Sequence, residues 1–174
     1  IIIKDNVIKN FYYYGINLYH GKDNIIEGND ISKPTQTASS NVTYAIQFYY
    51  QYGGKIVRNR IHDFAPNVQM TAAHQGIRVY YANNDAAATS VTTVANNAIY
   101  NVGNTTGAYH GIYVYSGRNV NFYHNTVSIN KTATTGTTAQ HGIYVTLVTN
   151  GTLQIKNNIV SFTGGNLSKK TGIY

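Results

Sequence analysis

Acidic side chains are few in this chain, which limits the acid–base chemistry that it could support. Asp and Glu occur six times, and Glu27 and Asp30 stand on either side of Asn29. Hydrolysis of a glycosidic bond needs two carboxylates about 5–9.5 Å apart, and a calcium site needs several. No such set falls on the strand considered below as a binding surface, where Arg78 is the one basic side chain. We therefore predict no catalytic residue and no cofactor, which favours a non-enzymatic role.

Two histidines are predicted to stack. His110 and His141 each precede a Gly-Ile pair, so they hold the same position of a repeat and should lie about 5 Å apart. A metal site usually requires three convergent ligands, often with a carboxylate, and none is in register. We expect a stacked pair of polar surface residues and no metal site. His20, His62 and His124 fall at three other positions and are expected to form no cluster.

Tyrosine is the residue type most suited to binding, with 17 copies in a chain without Trp. Exposed aromatic rings stack on sugar rings, and amides or Arg hydrogen-bond to sugar hydroxyls. The candidate glycan-binding residues are Tyr19, Tyr49, Tyr80, Tyr115, Arg78, Tyr113, Tyr144, His110 and His141. A Tyr repeated at one position also stabilises a solenoid by stacking, by about 0.5–1.5 kcal/mol per pair. It could equally pack beneath a loop or against another domain.

The element that positions these side chains is a repeated strand. A small residue is followed by Ile, any residue, an aliphatic or aromatic residue and usually Tyr, and the motif recurs about every 30 residues. The copies begin at Gly15, Ala45, Gly76, Gly111, Gly142 and Gly172. Apolar residues alternate at period two, which indicates a strand with one buried face. Stacked strands would form inward ladders of Ile and of Leu, Phe or Val.

A second motif alternates with the first and marks a bend. An aliphatic residue or Phe is followed three residues later by Asn, and then by Ile or Val. Its asparagines form a predicted structural ladder of Asn6, Asn29, Asn59, Asn97, Asn125 and Asn158. Asn tolerates the left-handed backbone region that tight bends require. Stacked Asn amides can also hydrogen-bond from coil to coil.

The two motifs together predict an all-β fold, a right-handed single-stranded parallel β-helix. About six coils of roughly 30 residues fit residues 1–174 as a single β-helix segment, cut mid-coil at both ends and part of a longer chain. No window shows a sustained helical period, the chain has little Leu for a leucine-rich repeat, and an up-and-down barrel would repeat as a hairpin. An ice-binding solenoid would need a flat Thr array, whereas these threonines fall in loops of unequal length.

The composition and net charge of the chain limit the classes of partner that it could bind. Charged residues make up 11% of the chain, and the net charge is +7. The basic residues are scattered, so we predict no nucleic-acid partner. No apolar run approaches the ~20 residues of a membrane span. The absence of Cys excludes disulfides and thiol chemistry.

Two sequence segments resemble the repeats of a known protein family. Tyr123 to Ile129 and Ile155 to Val160 resemble the repeats of the parallel β-helix superfamily (PbH1 repeats) that includes pectate lyases. The Thr- and Gly-rich loops are similar in style to large β-helix surface proteins of Bacteroidetes-type bacteria. That resemblance implies export by type IX secretion to the cell surface or the medium.

Two functions remain open on this basis. The first is a structural or adhesive region of an exported cell-surface or secreted protein whose Tyr-rich face binds glycans. The second is the non-catalytic portion of a polysaccharide lyase or hydrolase, or a glycan-binding module. The expected partners are polysaccharides or cell-surface glycans, other domains of the same longer chain and the secretion machinery.

Overall fold

The chain folds as a parallel β-solenoid. The computed structural model describes residues 1–35, 41–64, 71–85, 89–102, 107–130, 139–147, 150–163 and 169–174. Within these residues, 18 strands form three six-stranded parallel sheets and no helix is present. Successive strands go to sheets A, B and C in turn, so hydrogen-bonded neighbours are three strands apart in the chain. The predicted all-β parallel β-helix is therefore confirmed.

The strands are numbered in chain order. Sheet A contains β1 (Ile2–Lys4), β4 (Ile25–Glu27), β7 (Gly54–Val57), β10 (Thr92–Ala95), β13 (Val120–Tyr123) and β16 (Leu153–Lys156). Sheet B contains β2 (Val7–Lys9), β5 (Asp30–Lys33), β8 (Arg60–Phe64), β11 (Ala98–Val102), β14 (Thr126–Ile129) and β17 (Ile159–Phe162). Sheet C contains β3 (Tyr14–Lys22), β6 (Thr43–Tyr52), β9 (His74–Tyr80), β12 (Tyr109–Gly117), β15 (Gln140–Leu147) and β18 (Lys170–Ile173). The longest strands lie in sheet C.

The core consists of inward ladders that run from coil to coil. In sheet C the Ile residues of the first motif pair in register, Ile46 with Ile77 and Ile112 with Ile143 among them, and these four are fully buried. Sheets A and B add further buried aliphatic and Phe residues to the same core. Burial of apolar surface at about 25 cal/mol per Å² is the main stabilising contribution. The alternation read from the sequence therefore sets the register.

The small residue that begins the first motif is required by space rather than by backbone angle. A Cβ at Gly111 would lie 2.7 Å from the carbonyl oxygen of Gly142 and would also overlap a methyl group of Val127. Ala45 holds the equivalent position in another coil and is fully buried. The motif therefore marks where sheet C passes closest to the methyl groups of sheet B.

The asparagine ladder at the bend between sheets A and B is present as predicted. The backbone N–H and the Nδ2 of Asn59 both donate to Oδ1 of Asn97, each at 3.0 Å. Nδ2 of Asn97 in turn donates to Oδ1 of Asn125 at 3.0 Å and to the carbonyl oxygen of Ile56 at 2.9 Å. The pattern repeats from Asn6 to Asn158.

The expectation that these asparagines adopt the left-handed region is wrong. The residue before each of them has the positive φ, and these residues are Asp5, Gly28, Arg58, Asn96, His124 and Asn157. The turn is thus made one position earlier. That arrangement directs the amide of the Asn into the ladder, so its contribution is hydrogen bonding rather than backbone tolerance.

Candidate functional site

The outward tyrosines of sheet C form a stacked column. Tyr19, Tyr49, Tyr80 and Tyr115 are paired in register, and Thr146 follows Tyr115. Their ring centroids are 4.9, 5.1 and 4.9 Å apart, with planes within 16° of parallel. The structure therefore brings these four predicted residues together on one face.

A second column, which the sequence reading missed, stands beside the first. His20, Tyr50 and Tyr81 stack with centroids 4.8 and 5.0 Å apart. All three have φ between 49° and 53°, which breaks the inward–outward alternation and puts two successive side chains on the same face. Pairs of adjacent aromatic residues in the sequence, such as Tyr80-Tyr81, could have indicated this second column. The seven rings of both columns are called the aromatic double column below.

Stacking decides which ring surfaces remain available. Rings within a column cover one another's faces, so the middle of the column presents ring edges and hydroxyls. Tyr115 differs because its neighbour on the far side is Thr146, an exposed small side chain. Tyr115 is 37% exposed, and among the described residues no ring stacks on the side that faces Thr146. The Tyr115 face beside Thr146, called the Tyr115 notch below, is one place where a flat ligand could stack on a tyrosine, and the outer face of Tyr19 at the sheet edge is another.

A polar row runs beside the aromatic double column. The Arg78 guanidinium lies 4.5 Å from the ring centre of Tyr44 and 4.0 Å from that of Tyr80. Its Nη1 donates to Oε1 of Gln47 at 2.9 Å, and Nε2 of Gln47 donates to Oδ1 of Asn17 at 3.0 Å. Gln47, predicted to face outward, is only 4% exposed because it lies between these neighbours. Arg78 is thus held by cation–π contacts, and none of the ion pairs among the described residues includes it.

On the C-terminal strands of sheet C, two histidine rings on the outer face lie beneath tyrosine rings. His110 and His141 stack at 5.1 Å with planes 5° apart, as predicted. They are 9% and 6% exposed, so the prediction that they are surface residues is wrong. The rings of Tyr113 and Tyr144, stacked at 5.1 Å, pack against them. Burial, and then the neighbouring His141, lower the pKa of His110 to about 4, and burial lowers the pKa of His141.

Residues 2–174 match the family model described as a right-handed β-helix region. The chain belongs to the right-handed β-helix family. No curated protein and no solved structure shows a significant match to it. Within the described residues of this β-helix, no helix is long and apolar enough to cross a membrane.

A charged cluster on sheet B of this β-helix was also missed. His62 stands between two carboxylates, with Nε2 2.9 Å from Asp30 and Nδ1 2.7 Å from Asp63, and it stacks on Tyr100 at 5.2 Å. Asp63 belongs to the same strand as His62, whereas Asp30 and Tyr100 come from the two adjacent coils. Burial would raise the pKa of Asp30, but hydrogen bonds and charges from Arg60 and His62 hold it below 3.8. Neither His62 with Asp30 and Asp63 nor any other group of three His, Asp or Glu residues in the described part of the chain is arranged to hold a metal ion.

The buried histidine pair predicts a loss of stability in mild acid. His110 takes up a proton near pH 6.5 when the chain is unfolded but only near pH 4 in the β-helix, so the unfolded state binds more protons between these values. The free energy of unfolding should fall by roughly 2 kcal/mol between about pH 7 and pH 5. In His110→Gln the fall should be smaller, as measured by urea unfolding at each pH. The matched control is His124→Gln, which removes an exposed imidazole from the bend between sheets A and B. An unchanged pH dependence in His110→Gln would contradict the assignment.

Proposed function

We propose that this β-helix is a structural and adhesive segment of an exported protein, and that it binds glycans on the outer face of sheet C. The observation that carries the proposal is the aromatic double column with the polar row of Asn17, Gln47 and Arg78 beside it. Aromatic and amide groups are the side chains that sugars contact. The same face extends over six parallel strands, which suits a long polymer.

The Tyr115 notch supports a sugar ring in particular. Towards the next coil the Tyr115 ring meets Thr146 instead of another ring, and Tyr113 lies parallel to Tyr115 at 6.4 Å. A pyranose in the notch would place its C–H face on Tyr115 and its hydroxyls near Thr146. The hydroxyls and ring edges of Tyr80 and Tyr49 would continue the contact along the column. Polysaccharide or cell-surface glycan is thus the proposed partner.

The cell surface or the medium is the proposed location, because a lateral glycan-binding face meets its polymer there. The type IX route is proposed on the similarity in loop style alone. Fractionation of the producing cells, with protease treatment of intact cells, tests the location. The chain should be recovered from the surface or the medium and should be cut on intact cells. Recovery from the cytosol alone would contradict an exported role.

Removal of two rings should abolish most glycan binding. The double variant Tyr80→Ala, Tyr115→Ala opens the column and deletes the face of the notch, so its affinity for the best glycan from an array should fall about tenfold or more, equivalent to about 1.4 kcal/mol. The matched control is Tyr100→Ala, Tyr123→Ala, which removes two partly buried tyrosines from sheets B and A. Circular dichroism checks that both variants remain folded. Equal affinity in the wild type and the sheet C variant would sink the proposal.

A further inference from the structure

A cavity of about 510 Å³ lies on the C-terminal part of the sheet C face. It is lined by His141 and Tyr144 of β15 and by residues of the following coil. The latter are Lys169, Lys170, Thr171 and Tyr174. Tyr144 and Tyr174 stack at 4.9 Å on one side of it. The cavity is therefore continuous with the aromatic face that we propose to bind glycans.

The charge around this cavity is of one sign. All six acidic residues occur within the first 85 residues, so residues 86–174 carry cationic side chains without any Asp or Glu. Those cations are Arg118, Lys131, Lys156, Lys169 and Lys170. Two of the five line the cavity, and no Asp or Glu is among its lining residues. The potential inside it is accordingly positive, which favours an anionic occupant.

The cavity also offers hydrogen-bond donors of several kinds. His141 is more than nine-tenths buried and lines the cavity. Its imidazole, the hydroxyls of Tyr144 and Thr171 and the two ammonium groups can all donate to an anion.

The donor types distinguish one kind of anion from another. Planar carboxylates are best recognised by the two-pronged guanidinium of Arg, whereas Lys acts as a point charge and commonly binds phosphate. The lining contains no Arg, and its donors belong to five separate side chains on two adjacent coils. Such a set suits a tetrahedral oxyanion, whose oxygens point in different directions.

We propose that this cavity binds a tetrahedral oxyanion carried by the glycan, a sulfate or phosphate ester, with Lys169 and Lys170 as its charge partners. The inference rests on the proposed glycan binding and adds the substituent that the glycan carries. One sugar ring would occupy the aromatic face, and its ester group would enter the cavity. The hydroxyls of Tyr144 and Thr171 and the imidazole of His141 complete the hydrogen bonding.

The proton on His141 should respond to the occupant. The titratable side chains around His141 are those of His110, Tyr144, Tyr174, Lys169 and Lys170, and no Asp or Glu of the described residues lines the cavity. An anion in the cavity would favour the imidazolium. Affinity for the ester-bearing glycan should therefore rise as the pH falls from about 7 to 5, while affinity for a neutral glycan should not.

Four oligosaccharides of the same backbone and length test the proposal: neutral, glucuronate-containing, sulfated and phosphorylated. Calorimetric titration of the full chain should give at least tenfold tighter binding for the sulfated or the phosphorylated probe than for the other two. The tighter of these two identifies the ester. In Lys169→Gln, Lys170→Gln the preference should be lost, whereas binding of the neutral probe should stay unchanged.

The control variant Lys55→Gln, Lys156→Gln removes two exposed lysines from sheet A and changes the net charge equally. It should retain the preference, and an equal loss in both variants would reduce the effect to net charge and overturn the site. If the glucuronate probe bound as tightly as the sulfated and phosphorylated probes, the assignment of a tetrahedral oxyanion would be overturned. Equal binding of all four probes would overturn the role of the cavity as an anion site and leave the proposed glycan binding intact. If no probe bound, both proposals would fail.

Discussion

Replacing Asn97 with alanine is expected to lower the free energy of unfolding by about 3–5 kcal/mol. The side chain of Asn97 accepts from the backbone and the amide of Asn59 and donates to Asn125 and Ile56. All of these groups are buried in the ladder, so the alanine variant leaves several polar atoms without partners. Each such atom costs about 1–3 kcal/mol. Urea unfolding followed by circular dichroism measures the change.

Asn121→Ala is the matched control for this ladder variant. Asn121 lies on β13 and is only partly buried, and no side-chain hydrogen bond is described for it. Its replacement should change the free energy of unfolding by no more than about 0.5 kcal/mol. Equal effects of the two substitutions would show that the ladder contributes no special stability.

Gly111→Val is expected to destabilise the β-helix by about 3 kcal/mol or more. The new side chain would meet the carbonyl oxygen of Gly142 at 2.7 Å from its Cβ, and it would also overlap Val127. Neither neighbour can move freely, because the first belongs to the backbone of sheet C and the second is fully buried in the core. The thermal midpoint and the urea midpoint should both fall.

The chain contains a control for this substitution at the same position of the motif. A Cβ at Gly172 meets no atom of the described residues within 4 Å. Gly172→Val should therefore change the unfolding midpoint little. A Gly111→Val variant as stable as the wild type would mean that the small residue is not required for the approach of sheets B and C.

Much of the fold could be predicted because solenoid contacts repeat with the sequence period. The Ile, Leu, Phe and Val positions of the first motif pair in the register that the copies define. The first tyrosine column follows from the same alignment. Asn97 and its equivalents could be assigned to a ladder because one residue type recurs at one offset.

The remainder depends on backbone turns that the pattern does not encode. Tyr50 and Tyr81 were missed because a positive φ directs them outward, against the alternation of a regular strand. For the same reason the sequence pattern assigned the left-handed backbone conformation to Asn29, whereas Gly28 adopts it in the structure. By contrast, the contact of His62 with Asp30 lies in the register that the Asn motif defines, with Asp30 beside Arg60 and Ser32 beside His62, so an alignment of that motif could have revealed it. The burial of His141 depends on where Tyr144 packs.

Glycan binding on sheet C is tested most directly by assigned nuclear magnetic resonance spectra of the tyrosine rings. The chain is titrated with the glycan that binds best on an array. Ring signals of Tyr80, Tyr115 and Tyr144 should shift with the fraction bound, whereas those of Tyr100 and Tyr123 on sheets B and A should stay in place. Shifts confined to Tyr100 and Tyr123, or saturable binding without any change on sheet C, would contradict the proposed function.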